Sequence, residues 1–548
     1  MKTYEFDIQG MTCDQCALTI DKTLDINGVT DKTVSYPKGK AMVQFDENSI
    51  NKEVIKESID KIGHYTVTDI RPVGDEASKE SMREKHLIII GGGSAAFAAN
   101  IQAKEYGIRV SMINDGLPIG GTCVNVGCVP SKNLIRAGET LHKANNNPFE
   151  GIASFAKIED FKSIIQGKRD LVEDLRKQKY ISIIEDMEDF EMIEGHAVLD
   201  SPTSVKVGNR IIQGTHILIA TGARPMIPAI DGLSEVSYLT NEEAFELDIL
   251  PESMIVLGGS YIALEIAQMF SRMGSKVTVL QRSERILSTE QADLTDALTE
   301  YLEEEGMEIV TGNAIQGVKE VDGMVMVSSL VNGKVEEFKA QKLVVATGRK
   351  ANMEDMNLES LGIKLKSNGG IDVNPYLQTT LPSIYAAGDV TGDTMFVYTA
   401  AYEAKLAVDN AFGKDKKARD YAVLPWVIFT DPQVAGVGLD EVQALDHRIH
   451  ADVAMLPLTY VPRAIAAKDT RGFIKLIRNK ADDRLIGARI LAPEGSELLM
   501  EVALAIRFGI KVDELKEMLH PYLTLAEGIK LAAITFDKDV KELSCCAT

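Results

Sequence analysis

The first 70 residues have the hydrophobic pattern of a small domain. Apolar and polar residues alternate in Tyr4–Ile8 and again in Tyr65–Ile70, as they do in strands that bury one face. Between these segments, Cys16–Leu24 and Ile50–Ile62 have helical spacing, and Val34–Phe45 has the pattern of a hairpin. The order of the elements predicts a βαββαβ domain with a ferredoxin-like fold.

A charged segment follows this domain. Residues 71–85, RPVGDEASKESMREK, show no apolar periodicity. Such a composition is typical of a linker.

From His86 onward the pattern changes to strand, glycine turn and helix, and this unit occurs twice. His86–Gly107 is followed by the strand-like Arg109–Ile113, and Ser253–Gly274 is followed by Lys276–Leu280. Two Rossmann-like dinucleotide-binding domains are therefore predicted. The chain from about Tyr421 mixes strands and helices without a third glycine turn, which indicates a separate α+β domain spanning 421–548.

The first glycine turn places Gly91, Gly93 and Ala96 directly after apolar β-formers. Glycines at this spacing let the backbone approach a pyrophosphate at a helix N-terminus, although such a turn can also be purely structural. The residue that contacts the ribose is expected at the end of the next strand. Asn114 and Asp115 both stand there, and the sequence does not choose between them.

The second turn begins at Gly258 and has Ser260 where the pattern expects its second glycine. The next strand is followed by Gln281 and Arg282 rather than by an acid. An acid at this position favours NAD, whereas Arg accommodates the 2′-phosphate of NADP. NADPH is therefore predicted, with an ordinary exposed basic side chain as the alternative reading of Arg282.

Composition narrows the functional classes. The 548-residue chain has a formal net charge of -22, which argues against nucleic-acid binding. No apolar run approaches the ~18–20 residues needed to span a bilayer, and no secretory signal is visible. A cytoplasmic protein with three or four domains is expected.

All six cysteines fall into close pairs: Cys13 with Cys16, Cys123 with Cys128, and Cys545 with Cys546. In a reducing compartment such pairs favour metal binding or redox chemistry over structural bridges. In a regular helix, residues five apart would have Cα atoms roughly 8–9 Å apart, beyond the ~7 Å limit for a disulfide. A redox pair at Cys123 and Cys128 thus requires an irregular turn around Gly127.

The segment GGTCVNVGCVPSK (residues 120–132) resembles the redox-disulfide segment of the flavin-dependent disulfide reductases. SIYAAGDVTG (383–392) resembles their second FAD segment, and HILIATGARP (216–225) and KLVVATGRK (342–350) match their two ATG segments. The resemblance implies an FAD domain built from residues 86–230 and 356–420, with an NADPH domain at 231–355. It also implies functional residues, which are Asp389, Thr122, Val397 and Gly222 at FAD, a Lys132–Glu265 ion pair beside the flavin, and Tyr261 shielding the flavin until NADPH arrives.

Both ends of the chain resemble the mercuric reductase branch of that family. TFDKDVKELSCCAT (535–548) is similar to its C-terminal tail, VPRAIAAKDTRGFIKL (461–476) to its interface domain, and GMTCDQCA (10–17) to the heavy-metal-associated domain that often precedes its core. This implies mercury detoxification by a homodimer that reduces Hg(II) to volatile Hg(0).

The resemblance assigns a role to each cysteine pair. Cys13 and Cys16 would capture Hg(II) from thiol complexes. Cys545 and Cys546 of one subunit would deliver it to Cys123 and Cys128 of the other, which transfer the electrons. Tyr180 and the partner's Tyr522 would lie near the metal path.

Each of these assignments has an alternative. The first cysteine pair also suits copper or zinc, the last pair also suits a strained vicinal disulfide or an incidental tail, and a tyrosine is often core packing. The whole protein has two alternatives, an NADPH-dependent reductase of small disulfides or a metal-sequestering thiol protein.

His520-Pro521 is similar to the His-Pro of the disulfide-reducing branches, in which a Glu orients the His as a general acid and base. Here the nearest downstream acid is Glu527. The sequence therefore predicts a broken His–Glu pair, and a disulfide-reducing side activity stays open.

Overall fold

The computed structural model describes residues 2–12, 14–36, 38–47, 49–73, 85–185 and 187–542. Cys13, Cys545 and Cys546 lie outside the described residues, as does most of the predicted linker.

The N-terminal domain has the predicted βαββαβ order. Its antiparallel sheet has the strand order β2-β3-β1-β4, and the side chains of Phe6, Phe45 and Ile55 are fully buried in the core. The ferredoxin-like prediction is confirmed. The elements are β1 (Lys2–Gln9), α1 (Asp14–Thr23), β2 (Val29–Ser35), β3 (Lys40–Phe45), α2 (Lys52–Asp60) and β4 (Thr66–Val73).

Strand β4 extends three residues into the segment that the sequence assigns to the linker. It pairs with β1 from Gln9↔Thr66 to Thr3↔Val73. The pairing with β1 therefore continues past residue 70, where the sequence places the end of the domain.

The first nucleotide-binding domain is built on a parallel sheet in which β11, β5, β6 and β7 are neighbours in that order. Strands β8, β9 and β10 form a separate antiparallel sheet. The elements of this first nucleotide-binding domain are β5 (His86–Ile90), α3 (Ser94–Glu105), β6 (Arg109–Asn114), α4 (Gly121–Asn125), α5 (Cys128–Asn145), α6 (Phe161–Arg176), a π-helical turn (Lys177–Ile181), α7 (Ser182–Glu185), β7 (Phe190–Glu194), β8 (Ala197–Ser201), β9 (Ser204–Val207), β10 (Arg210–Gln213) and β11 (His216–Ile219).

The second nucleotide-binding domain has a parallel sheet of order β15-β14-β13-β19 and an antiparallel sheet of order β16-β17-β18. Strands β12 and β20 pair with each other beside it. The elements of this region are β12 (Ala223–Pro225), α8 (Asn241–Ala244), β13 (Ser253–Leu257), α9 (Tyr261–Met273), β14 (Lys276–Leu280), α10 (Ala292–Glu304), β15 (Glu308–Val310), β16 (Ala314–Val321), β17 (Met324–Val331), β18 (Lys334–Ala340), β19 (Lys342–Val345) and β20 (Arg349–Ala351).

The chain then returns to the first domain and ends in an antiparallel domain. Strand β21 pairs with β11 in the first parallel sheet, and the last domain has the strand order β22-β23-β26-β25-β24. The elements are β21 (Ile384–Ala386), α11 (Val397–Phe412), β22 (Trp426–Ile428), β23 (Gln433–Gly438), α12 (Glu441–Asp446), β24 (Ala451–Pro457), α13 (Pro462–Ala467), β25 (Phe473–Asn479), β26 (Leu485–Ala492), α14 (Gly495–Phe508), α15 (Val512–Glu517) and α16 (Glu527–Ile534).

The predicted class, two Rossmann-like domains followed by an α+β domain, is confirmed. Because parallel strands all end at one edge of a sheet, the turns after β5 and β13 open onto the crevices where such folds bind ligands. Among the described residues, no helix combines the length and apolar character needed to cross a membrane.

Candidate functional site

A cavity of about 1530 Å³ lies at the carboxyl ends of the parallel strands. It is larger than the ~300–1,000 Å³ typical of small-ligand sites, so it has room for an extended dinucleotide. The predicted residues that line it are Gly91, Gly93, Asn114, Thr122, Cys123, Cys128, Lys132, Gly222, Tyr261, Glu265, Asp389 and Val397.

The remaining predicted residues that the structure describes do not line the cavity. Ala96 is fully buried in α3, Arg282 is exposed after β14, and Tyr522 is half-exposed in the last domain. Gly258 and Tyr180 are also absent from the lining.

The first glycine turn has the geometry of a phosphate cradle. Gly91 has φ +124°, and a Cβ there would lie 2.2 Å from the carbonyl oxygen of Ala220. Helix α3 begins at Ser94 with no side-chain cap, and Gly93, Ser94 and Ala95 all line the cavity. Its first backbone amides therefore suit an anionic pyrophosphate. These features fit FAD.

Both candidates for the ribose contact lie at the end of β6. The Asn114 side-chain amide donates to the carbonyl oxygen of Leu117 at 2.9 Å, and Asp115 Oδ2 lies 3.2 Å from His196 Nδ1. Asn114 and Asp115 both line the cavity, so either side chain is in position to contact a ribose.

The two redox cysteines are separated by a break between two helices. Helix α4 ends at Asn125, Val126 and Gly127 depart from helical geometry, and α5 begins at Cys128. The Asn125 side-chain amide donates to the carbonyl oxygens of Pro118 and Gly121, each at 2.9 Å. The predicted irregular turn around Gly127 is confirmed.

Cys123 and Cys128 are free thiols in the structure and are hydrogen-bonded to each other. A hydrogen bond from Cys123 and the positive charge of Lys132 lower the pKa of Cys128 to about 7, against burial. The same hydrogen bond and burial raise the pKa of Cys123. The start of α5 also favours negative charge on Cys128. Near neutral pH the pair is therefore one thiol and one reactive thiolate.

The Lys132–Glu265 ion pair is present beside the cysteines. Lys132 Nζ lies 2.6 Å from Glu265 Oε2, and the backbone N–H of Phe429 donates to Glu265 Oε1 at 2.9 Å. Lys132 Nζ also lies 4.6 Å from the centroid of the Phe429 ring. The pair thus joins both nucleotide-binding domains and the C-terminal domain at the cavity wall.

Arg349 is a cavity residue that the sequence reasoning missed. Its Nε lies 3.8 Å from Asp389 Oδ2, and its Nη2 donates to Thr122 Oγ1 at 3.4 Å. Burial raises the pKa of Asp389, and the charge of Arg349 opposes the shift. Arg349 follows the glycine of the second ATG segment, which was the available signal.

Tyr180 and Tyr261, the two tyrosines predicted near the flavin and the cysteines, have different neighbours. Tyr180 lies in the π-helical turn with its ring edge-on to Phe97, at a centroid distance of 4.9 Å. Burial raises the pKa of Tyr180, and charge on the cysteine pair raises it further. Tyr261 is the first residue of α9 and stacks against Phe396 and Trp426 in the cavity.

The second glycine turn repeats the close approach of the first. Gly258 has φ +114°, and a Cβ there would lie 2.4 Å from the carbonyl oxygen of Ala346. Ser260 does not prevent the turn, because it serves as the N-cap residue of α9 in an extended conformation.

The prediction of a broken His–Glu pair is wrong. His520 Nε2 lies 2.7 Å from Glu501 Oε1, and only 6% of the His520 side chain is exposed. Glu527 instead accepts a hydrogen bond from the backbone N–H of Leu523. The partner of His520 comes from α14, upstream in the sequence, so inspecting the downstream acids could not find it.

In the N-terminal domain, the structure describes one cysteine of the predicted capture pair. Cys16 lies in α1, and the backbone nitrogen and the hydroxyl of Thr12 each lie 3.5 Å from its sulfur. Within the described part of the chain, no cluster of three or more potential ligands (His, Cys, Asp or Glu) is arranged to hold a metal.

Three family models match the chain. The pyridine nucleotide-disulphide oxidoreductase model matches residues 85–404, the dimerisation domain of the same family matches 424–533, and the heavy-metal-associated domain matches 5–64.

Full-length relatives are also found. The mercuric reductase of Staphylococcus aureus is 40% identical over 553 residues, covering 100% of this chain and 99% of the relative. That of Lysinibacillus sphaericus is 40% identical over 549 residues, covering 100% of both.

Solved structures with the same architecture come from two bacteria. The HOCl-induced flavoprotein disulfide reductase RclA from Escherichia coli, as a Cu(II) complex, superposes with a TM-score of 0.74 at 28% identity, covering 83% of this chain and 99% of RclA. LpdA from Mycobacterium tuberculosis gives a TM-score of 0.74 at 26% identity, covering 82% of this chain and 99% of LpdA.

Proposed function

Since this chain belongs to the pyridine nucleotide-disulphide oxidoreductase family, we infer that it reduces Hg(II) to Hg(0) with electrons from NADPH, as mercuric reductases do. The overall reaction is NADPH + Hg(II) → NADP⁺ + H⁺ + Hg(0). Its full-length similarity to mercuric reductases selects the metal. The structural observation that carries the chemistry is the pair Cys123 and Cys128, which the break between α4 and α5 places together at the cavity wall.

The residues that line the cavity would hold FAD. FAD, when bound, supplies the two-electron relay between NADPH and the cysteine pair. The turn at Gly91–Gly93 suits its pyrophosphate, and Asp389 with Asn114 or Asp115 suits its hydroxyl groups. Arg282, which follows β14, suits the 2′-phosphate of NADPH.

The opposite pKa shifts of the two cysteines fit ligand exchange on a soft metal. Hg(II) prefers thiolate ligands, and a thiolate reacts faster than a thiol. The thiolate of Cys128 displaces one external thiolate from the metal. Cys123 then displaces the second external thiolate and gives up its proton to that leaving group. Both external ligands are released, and Hg(II) is held by two protein sulfurs.

Delivery of the metal across the dimer is the finer part of the proposal. The chain carries the family's dimerisation domain at residues 424–533. Cys545 and Cys546 of one subunit would pass Hg(II) to Cys123 and Cys128 of the other, along a path near Tyr180 of the receiving subunit and Tyr522 of the donating subunit. Cys13 and Cys16 would capture the ion from thiol complexes first. These dithiols must stay reduced, so we propose a cytoplasmic location.

The central test is mercury-dependent oxidation of NADPH by the purified holoenzyme, with the loss of volatile mercury measured in parallel. Cys123→Ala and Cys128→Ala should each abolish both signals, whereas Cys16→Ala should leave the core reaction intact. If Hg(II) only inhibits the enzyme while disulfides turn over quickly, the protein is a disulfide reductase. Mercury retained without NADPH oxidation would indicate sequestration.

The tail is tested with mercury bound to bulky thiols. The double variant Cys545→Ala, Cys546→Ala should be slowed most on such complexes and least on small ones. Equal activity of the variant and the wild type on every complex would remove the tail from the mechanism.

A side activity on small disulfides is supported by His520 and Glu501. A nearly buried His that is hydrogen-bonded to a carboxylate can protonate a leaving thiolate, which disulfide reduction needs and metal reduction does not. Glu501→Gln should therefore lower disulfide turnover while leaving mercury reduction unchanged. No disulfide turnover by the wild type would exclude this activity.

A further inference from the structure

Four aromatic rings stand in a row at the wall of the cavity, in the order Tyr398, Phe396, Tyr261 and Trp426. The successive centroids are 5.3, 6.3 and 5.9 Å apart, and the successive planes are inclined by 7°, 16° and 14°. All four residues line the cavity. These are near-parallel stacks within the 4.5–7 Å range of favourable aromatic pairs.

The row joins separate parts of the chain. Phe396 immediately precedes α11, Tyr261 opens α9 in the second nucleotide-binding domain, and Trp426 begins β22 in the C-terminal domain. Tyr261 is therefore the ring through which the other two segments meet at this point.

Trp426 is held by buried charge on one side. The Arg489 guanidinium carbon lies 5.5 Å from the centroid of a Trp426 ring, and Arg489 Nε lies 2.6 Å from Glu290 Oε2. Only 2% of the Arg489 side chain is exposed. A buried ion pair of this kind fixes the position of the indole.

Tyr261 is held differently. Within the described residues its hydroxyl makes no hydrogen bond, and its ring lies between Phe396 and Trp426. Trp426 has a cation–π contact with the buried Arg489 in addition to its ring stacking, whereas Tyr261 has ring stacking alone, so Tyr261 can leave the row while Trp426 stays.

We propose that Trp426 and Phe396 act as a latch that holds Tyr261 in its shielding position and so sets the affinity of the enzyme for the nicotinamide nucleotide. This inference rests on the proposed function of Tyr261 as the residue that shields the flavin until NADPH arrives. Trp426 and Phe396 are positioning residues in this scheme. The nucleotide binds only when Tyr261 has left the row, so each stack that must be broken weakens the apparent affinity.

The size of the effect follows from the strength of one aromatic pair. Losing one such pair shifts the equilibrium between Tyr261 in the row and Tyr261 away from it by about 2- to 12-fold. Weakening the latch should therefore tighten nucleotide binding by this factor, which is the opposite of what general damage to the site would do.

Binding of NADP⁺ to the oxidised holoenzyme, followed through the flavin absorbance, tests the latch without mercury or turnover. Trp426→Leu and Phe396→Leu should each lower the Kd for NADP⁺ about 2- to 12-fold. Trp426→Phe keeps an aromatic ring in the row and should stay near the wild-type Kd. An unchanged or higher Kd in both leucine variants would overturn the proposal.

Fluorescence gives a second readout that does not depend on those variants, because Trp426 is the only tryptophan of the chain. NADP⁺ should change the Trp426 emission of the wild type. Tyr261→Ala should have altered emission already without nucleotide, whereas Tyr261→Phe should resemble the wild type. Identical emission from the wild type and Tyr261→Ala would mean that the stack does not exist in solution.

The latch and the proposed function can fail separately. Mercury-dependent NADPH oxidation by the wild type tests the function, and the NADP⁺ affinities of the variants test the latch. A protein that reduces mercury but shows no tightening in the leucine variants retains the function and loses the latch.

Discussion

At the scale of single residues, the ion pair beside the cysteines acts on Cys128 with two opposite signs. The charge of Lys132 lowers the pKa of Cys128, and the charge of Glu265 raises it. Both side chains are anchored, since Glu265 is nearly buried and accepts from the backbone of Phe429. The two charges of the ion pair therefore have opposite effects on the fraction of Cys128 that is thiolate at a given pH.

Substituting each partner in turn should move the titration of Cys128 in opposite directions. The thiolate fraction rises as the pH rises through about 7 in the wild type. Lys132→Met should shift this midpoint upward, and Glu265→Gln should shift it downward, because each removes one of the two opposing charges. The measurement is the alkylation rate of the reduced protein against pH.

Cys128→Ser provides the control for that titration, since the signal near pH 7 should disappear in it. A shift of the midpoint in the same direction in Lys132→Met and Glu265→Gln would contradict the opposite effects assigned to the two charges.

At the scale of elements, the break between α4 and α5 determines how the two cysteines meet. Gly127 lies within this break, and a Cβ at this position would lie 2.8 Å from the carbonyl oxygen of Thr122. A continuous helix would hold the two Cα atoms roughly 8–9 Å apart, too far for a disulfide. The turn is therefore a requirement of redox cycling.

Gly127→Ala should disturb both the stability and the redox chemistry of this turn. The added methyl group should lower the free energy of unfolding by about 1–3 kcal/mol, which is typical of overpacking. It should also slow oxidation of the cysteine pair by oxidised glutathione, because Cys123 and Cys128 are pushed apart. Denaturant unfolding and thiol titration measure the two effects.

Gly167→Ala is the matched control. Gly167 lies within α6, where an added Cβ would have no neighbour within 4 Å. This substitution should stabilise the protein by about 0.5–1 kcal/mol and leave oxidation unchanged. Equal behaviour of the two alanine variants would show that the turn does not depend on Gly127.

At the scale of the whole molecule, buried charges join the second nucleotide-binding domain to the C-terminal domain. Arg272 in α9 lies 2.6 Å from Glu305 and 2.9 Å from Asp431, and Arg471 also contacts both acids. Burial would raise the pKa of Asp431, but Arg471 and Arg272 hold it below its usual value. The cluster is fully paired, which is the condition under which buried charges are tolerated.

Removing one member should leave charges buried without enough partners. Arg272→Met should lower the free energy of unfolding by about 3–5 kcal/mol. Arg285→Met is the control, since Arg285 and Asp296 form an exposed pair, and the loss there should be at most about 1 kcal/mol. Denaturant unfolding of both variants checks this, and similar losses in the two would mean that burial of the cluster contributes nothing.

The sequence by itself determined the kinds of domain and the chemical groups of the site. Strand alternation, helical spacing and glycine turns are local patterns, so they identified the βαββαβ domain and both nucleotide-binding units. The spacing of Cys123 and Cys128 predicted the irregular turn for the same reason. Resemblance to a known family supplied the Lys132–Glu265 pair, which no local pattern contains.

Only the tertiary structure decided which distant residues meet. Arg349 reaches Thr122 across 227 positions of sequence, and the Tyr261 ring meets Trp426 from another domain. His520 is hydrogen-bonded to Glu501, which precedes it in the sequence, rather than to an acid that follows it. These contacts depend on how distant segments pack, either within one domain or between two, and such packing leaves no periodic signal in the residues that it brings together.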